Sequence, residues 1–306
     1  MGKGWHLALL ASSIFIGIAF PSLAAFFKPF LLPLIFLLFL SAVLQVSFSD
    51  ATHAAVGDRA SWITLLWQLL GLPVLCFILL KPFLSDQLHL FAVVSMCTGS
   101  ITATTALSRL FNLNSALSLV TGLAGAILMP LPLYVFLKLL LDSEVSLDLS
   151  VYSFRCVVFV VLPLVLAFVI RKIISPETDN WLQKKMPSVA MVLLVFFGLA
   201  VMDGVGDLIF SDPHRMLSYL ALAFGISIGV QLVSYFALSF LGPRDATTGA
   251  LLCAYRNLGL VAAIAGSSIT NTDVGKDFFI FLGVWQLPMY VLPLLLRQCY
   301  ENRRIY

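Results

Sequence analysis

The sequence predicts an all-α membrane protein of ten transmembrane helices, built as a 5+5 inverted repeat in which helices 4 and 9 are broken and cross. Three observations lead there. Of 306 residues, 60% are hydrophobic and 11% charged, where a soluble domain carries about 25% charged residues. Apolar windows long enough to cross a ~30 Å hydrocarbon core recur ten times. A glutamine-bearing pattern in the third window returns in the eighth.

The windows fall near 5–25, 29–48, 60–81, 88–110, 114–141, 149–174, 186–210, 214–241, 246–270 and 277–297. Short polar or proline-bearing connections separate them, among them Lys28-Pro29, Lys81-Pro82, Ser175-Pro176, Asp212-Pro213 and Gly242-Pro243. The first window imitates a secretory signal peptide, with Lys3, an apolar run and Pro21 to Ala25. It reads better as a span, because removing it leaves an odd number of helices and unpairs the repeat. Eleven Lys and Arg residues fall on one side of the bilayer and five on the other, with Arg155 and Arg256 inside helices. By the positive-inside rule both termini are then cytoplasmic, in a multi-pass protein of the bacterial inner (cytoplasmic) membrane. The acidic Asp142 to Asp148 loop faces outward.

The repeat pairs Trp67 to Phe77 with Val230 to Phe240, and the shared glutamines Gln68 and Gln231 are 163 residues apart. Each copy lies in the third helix of its half and ends at a proline turn. Five helices is an odd number, so residues 146–306 form a second repeat inverted relative to residues 1–145. Inverted repeats belong to secondary transporters, with the site at their interface.

Helix 9 carries the strongest local signal. Arg256 stands alone in an uncharged run, 11 residues from Asp245, roughly half of a hydrocarbon core at ~1.5 Å per residue. A guanidinium at that depth is costly and faces a cavity or a partner. Asn257 and Gly259 follow it, which points to a helix break lining a cavity. Its repeat partner, helix 4, reads as small polar residues from Ser95 to Thr105 around Gly99. Candidate substrate contacts are Arg256, Asn257, Tyr255, Ser100, Thr102, Thr104, Thr105 and Gln286. Arg256 could clamp a carboxylate or sulfonate. It could instead cap carbonyls of the broken helix or pair with Asp203 or Asp207, which stand at i and i+4 on helix 7. The hydroxyls could be ordinary small-residue packing. Gln68 could be interhelical amide glue or a site ligand, and Arg155 reads as a surface-seeking anchor. Neither the five cysteines nor His6, His53, His89 and His214 have metal-site spacing. A net charge of +3, dispersed, argues for no nucleic-acid partner. No paired intramembrane aspartates or Ser/His pair marks an enzyme.

At these residues the sequence resembles the bile acid:sodium symporter family. Leu113 to Ser118 is similar to the family's turn into helix 5, and Thr102-Ala103 to its helix 4 motif, with Thr104-Thr105 in place of Ser-Asn. Gln68, five residues before Pro73, fits a glutamine that helps hold sodium. Trp285-Gln286 fits a Trp-His pair in helix 10, and Asn257 with Gly259-Leu260 fits the broken helix 9. The resemblance places Gln68, Ser118, Thr121, Leu252 and Arg256 at or beside ion-site positions. It also marks departures: Leu252 stands where a sodium-bridging glutamate is expected, and Arg256 where a glutamine is. A fixed cation 4 Å from sodium repels it by about 4 kcal/mol at an effective dielectric of 20. The resemblance therefore implies a secondary transporter of a small organic anion (carboxylate or sulfonate), with no cofactor and Na⁺ disfavoured. A core containing helices 4 and 9 would move against a panel of helices 1, 2, 6 and 7 by alternating access. Two alternatives are a sodium-coupled symporter with a modified site and a non-transporting sensor.

Overall fold

The computed structural model describes residues 5–46, 59–101, 103–140, 148–266, 269 and 272–302. Regular structure among them is helical apart from isolated bridges. In chain order the helices are α1 (Trp5–Ala19), α2 (Pro21–Leu44), α3 (Arg59–Leu80), α4 (Asp86–Met96), α5 (Ala103–Leu110), α6 (Ser115–Leu128) and α7 (Pro130–Leu140). They continue as α8 (Leu149–Ile173), α9 (Pro176–Val201), α10 (Val205–Ser211), α11 (Pro213–Ala237), α12 (Pro243–Ala254), α13 (Leu258–Val261) and α14 (Thr272–Asn302). Five segments are long and apolar enough to cross a membrane: α2, α3, α8, the stretch Pro176–Ser211 and α11. Helices α6 and α7, bent by 51° around Met129, make a sixth. The chain is a multi-pass integral membrane protein.

The connections read from the sequence act as helix caps. Ser85, Asn114, Asp148, Ser175 and Asp212 each accept a backbone N–H from the first turn of the helix that follows. Proline opens α9, α11 and α12, where its missing N–H would be unpaired anyway. The exposed Asp148 carboxyl is held below the usual carboxylate range by the Ser150 hydroxyl and the backbone N–H groups of Val151 and Ser150. That cap is at full strength above the ordinary carboxylate pKa and is lost as pH falls through the lowered one.

Two boundaries differ from the sequence reading. The first two windows divide at Phe20-Pro21, not at Lys28-Pro29; the latter only tightens α2 into a short 3-10 turn. Asp203 and Asp207 do not share a helix. Gly204, at φ +79°, ends α9 in a conformation that L side chains rarely adopt, and Asp203 falls in the turn. There it meets Lys28 at 2.5 Å, so it is no partner for Arg256.

Proline also shapes the middle of two helices. Trp67–Gly71 and Val157–Val161 are π turns, and each is followed two residues later by a proline, Pro73 and Pro163. A proline clashes with the carbonyl four residues back and offers it no donor, so the turn before it widens.

Helix α9 packs along α1 and α2, and α8 on α2. In a second group α11 packs along α12 and α14, α3 against α6, and α12 against α6. Each group has its own polar ties: Arg171 donates to Leu44 O at 3.0 Å, and Asn114 Nδ2 to Asp245 Oδ1 at 2.9 Å. Asp277 binds Arg215 and accepts from Gln87 Nε2 at 3.0 Å. Arg155 is not simply a surface anchor, because its Nη1 donates to Ala263 O at 3.2 Å, in the π turn after α13.

Candidate functional site

The chain is interrupted between α4 and α5 and between α12 and α13, and the two interruptions lie against each other. Ile101 N–H donates to Tyr255 O at 3.0 Å and Asn257 N–H to Gly99 O at 2.8 Å, with Ser100 opposite Arg256 in an antiparallel bridge. Backbone thus satisfies backbone where helix cannot, which a membrane interior demands. Gly99 makes the approach possible: a Cβ there would sit 2.7 Å from Gly125 Cα on α6. We expect Gly99→Val to displace α6 and lower the apparent melting temperature by several degrees, read by thermal unfolding in detergent. Unchanged melting would show that the crossing tolerates a wider gap.

Helices α4 and α12 end at this crossing, and their last carbonyls lack helical donors. Arg256 supplies them. Its side chain is fully buried; Nε donates to Cys253 O at 2.8 Å, and Nη1 reaches Thr98 O at 2.5 Å, Gln68 O at 3.0 Å and Met96 O at 3.3 Å. The Gln68 carbonyl comes from the π turn of α3. There Leu72 N–H goes to Trp67 O, and the next donor in register would be residue 73, a proline with none. The guanidinium also faces two helix C-termini, whose partial negative charge favours a cation. Gln68 Nε2 completes the arrangement by donating to Leu252 O at 3.0 Å.

A cavity of about 410 Å³ ends at the crossing. Asn257, Leu258, Gly259, Leu260 and Gln286 line its floor, and Thr105 and Tyr290 its side; α2 and α9 supply much of the wall. Along α9 the lining runs from Gln183 to Phe197, about 21 Å of helix. A second concavity, about 680 Å³, lies between α3, α7 and α8. It is lined almost wholly by apolar residues on a face with exposed Leu66, Leu131 and Val135, and lacks converging polar groups.

Of the candidates from sequence, Asn257, Thr105 and Gln286 line the cavity. Arg256, Tyr255, Ser100 and Thr104 are buried behind its floor, so the expected Arg256 clamp does not reach a ligand in this conformation. Its N–H groups are turned to carbonyls, which is the capping role that the sequence left open. Gln68, Ser118, Thr121 and Leu252 are also fully buried away from the cavity; Ser118 Oγ meets Thr104 Oγ1 at 3.4 Å. Thr102 lies outside the described residues. Gln231, the repeat partner of Gln68, is half-buried on α11. The sequence reading missed Arg109, Gln45, Gln183 and Tyr290 as lining residues. One signal was present: Arg109 is four residues after Thr105, hence on the same helical face.

An all-helical chain of repeated apolar spans, with interrupted helices against each other at the floor of a deep cavity, has the build of a membrane carrier. The chain belongs to the sodium bile acid symporter family, whose profile matches residues 32–212, and it is a membrane transporter of that type. The match stops before the second interruption, where the sequence departs most. Comparison with curated proteins finds no match.

Proposed function

We propose that the chain is a secondary transporter that carries a small organic anion across the cytoplasmic membrane by alternating access, without sodium. The observation that carries this reading is the set of carbonyl oxygens from Gln68, Met96, Thr98 and Cys253 gathered around the Arg256 guanidinium. Clustered oxygens are what a hard cation takes as ligands. Here a tethered cation holds them, Leu252 contributes no carboxylate, and the residues do not fit a sodium ion. In this reading Arg256 fixes the crossing, and the substrate touches Asn257, Thr105 and Gln286. Thr102, Ser100, Thr104 and Tyr255 shape the floor behind them. The apolar wall with a few polar groups suits an organic anion. The ten spans form the 5+5 inverted repeat, with the α4–α5 and α12–α13 helices in a core that moves against α1, α2, α8 and α9.

Purified protein in liposomes tests it by counterflow of labelled carboxylates and sulfonates in Na⁺, K⁺ or choline buffer. The expected result is counterflow at the same rate in all three. A strict requirement for Na⁺ would restore the sodium-coupled alternative, and no counterflow with any anion would favour the sensor.

A further inference from the structure

The cavity has a polarity of its own that the crossing does not explain. At its open end lie Gln45 and Val46 of the α2 C-terminal region, Gln183 near the start of α9, and Arg109 in the last turn of α5. Arg109 is the charged side chain among the described lining residues. Ile101, Thr105 and Arg109 follow one another at intervals of four and form a stripe from the crossing to that end. Gln183 Nε2 donates to Asp179 at 2.9 Å and Gln45 Nε2 to Ser41 O at 3.2 Å. Both amides thus direct a donor into the protein, and Arg109 is left as the strong donor of that end. Asp179, the nearby acid, faces Arg171 at 3.3 Å and does not line the cavity.

The far end is different. Asn257 and Gln286 present neutral amides, and the Arg256 charge is sealed behind them. Between the ends the wall is apolar, with Leu38, Ala42, Leu119, Leu123, Met191 and Leu194. From Gln45 back to Ile35 the α2 wall covers about 15 Å, the length of an acid of about ten carbons.

We propose that Arg109 is the anion contact of the transported substrate, and that the cavity selects an elongated monocarboxylate with an apolar middle and a neutral, hydrogen-bonding far end. This rests on the organic-anion reading above and moves the counter-charge from the crossing to the open end. The carboxylate lies at Arg109, held by a planar fork that matches it. The far hydroxyl or amide meets Asn257 and Gln286. A dicarboxylate of equal length is rejected, since its second charge would be buried against amides with no cation.

Binding to the full chain in nanodiscs, by calorimetry, tests this with ω-hydroxydecanoate, decanoate and decanedioate. Wild type should bind ω-hydroxydecanoate tightest and decanedioate about tenfold or more weaker. Arg109→Gln should weaken both monoacids by about tenfold or more, the scale of a charge-assisted hydrogen bond. Arg109→Lys should recover part of that, because charge returns without the fork. Gln286→Leu should abolish the preference for the ω-hydroxyl while leaving decanoate unchanged. Arg109 is exposed, and its variants should melt with wild type. Equal binding of monoacids by wild type and Arg109→Gln, or decanedioate as tight as ω-hydroxydecanoate, overturns this inference alone. If those acids and the wider panel of carboxylates and sulfonates neither bind nor exchange, the organic-anion reading falls with it.

Discussion

Arg256→Met should unfold at a markedly lower temperature than wild type, with a loss of at least about 3 kcal/mol, as expected when one member of a buried charge-assisted set is removed. The reason is an accounting of carbonyls. Thr98, Gln68, Met96 and Cys253 lie at helix ends or at a proline-widened turn, and their oxygens face the guanidinium. Methionine fills a similar volume but donates nothing, so the carbonyls stay buried without it. Two helix C-termini also lose the cation they face. Arg256→Lys should fall between the two, because an ammonium keeps the charge but lacks the fork that reaches carbonyls from three segments. Thermal unfolding in detergent and in nanodiscs measures the series. Wild-type melting of Arg256→Met would mean that these bonds do not hold the crossing. The measurement also separates roles: a pure substrate clamp, once removed, would leave the empty protein as stable as before.

How far this was legible in the sequence depended on the kind of signal. A lone arginine in an apolar run, followed by Asn257 and Gly259, announced an unusual position. Its partners did not announce themselves. The Gln68 carbonyl is orphaned only because Pro73 widens the preceding turn, and hydropathy periodicity does not register a missing N–H five residues away. Arg109 was counted among the charges that set topology, although its spacing from Thr105 already placed both on one face. Asp203 and Asp207 looked like an i, i+4 pair because the sequence offers no sign that Gly204 takes a left-handed conformation. The boundary between α1 and α2 was misplaced since two prolines competed for it, and Pro29 is tolerated within a 3-10 turn. In each case composition located the element, and a single backbone donor or dihedral decided its detail.

The double variant Leu252→Glu, Arg256→Gln should acquire what wild type lacks: stabilisation by Na⁺ and not by choline. Removing the guanidinium frees the oxygens of Gln68, Met96, Thr98 and Cys253, and the new glutamate adds a carboxylate one helical turn before the glutamine. Leu252 is fully buried beside Ala60 and Leu117, so a carboxylate there is costly unless a cation neutralises it or it takes up a proton. Sodium would bind only the folded double variant, and its stability would rise by mass action, about 2.7 kcal/mol at 100-fold excess over the dissociation constant. Arg256→Gln alone should show little of this, since no acid offsets the charge of the ion. Wild type should melt identically in Na⁺ and choline. A double variant that folds yet ignores Na⁺ would show that the carbonyl cluster is shaped for a guanidinium and nothing else. Wild type stabilised by Na⁺ would be more damaging, because a fixed cation and a bound one would then have to share oxygens across a few ångströms of low-dielectric interior. At 4 Å that repulsion is about 4 kcal/mol even with an effective dielectric of 20, enough to weaken the ion's binding by roughly a thousandfold.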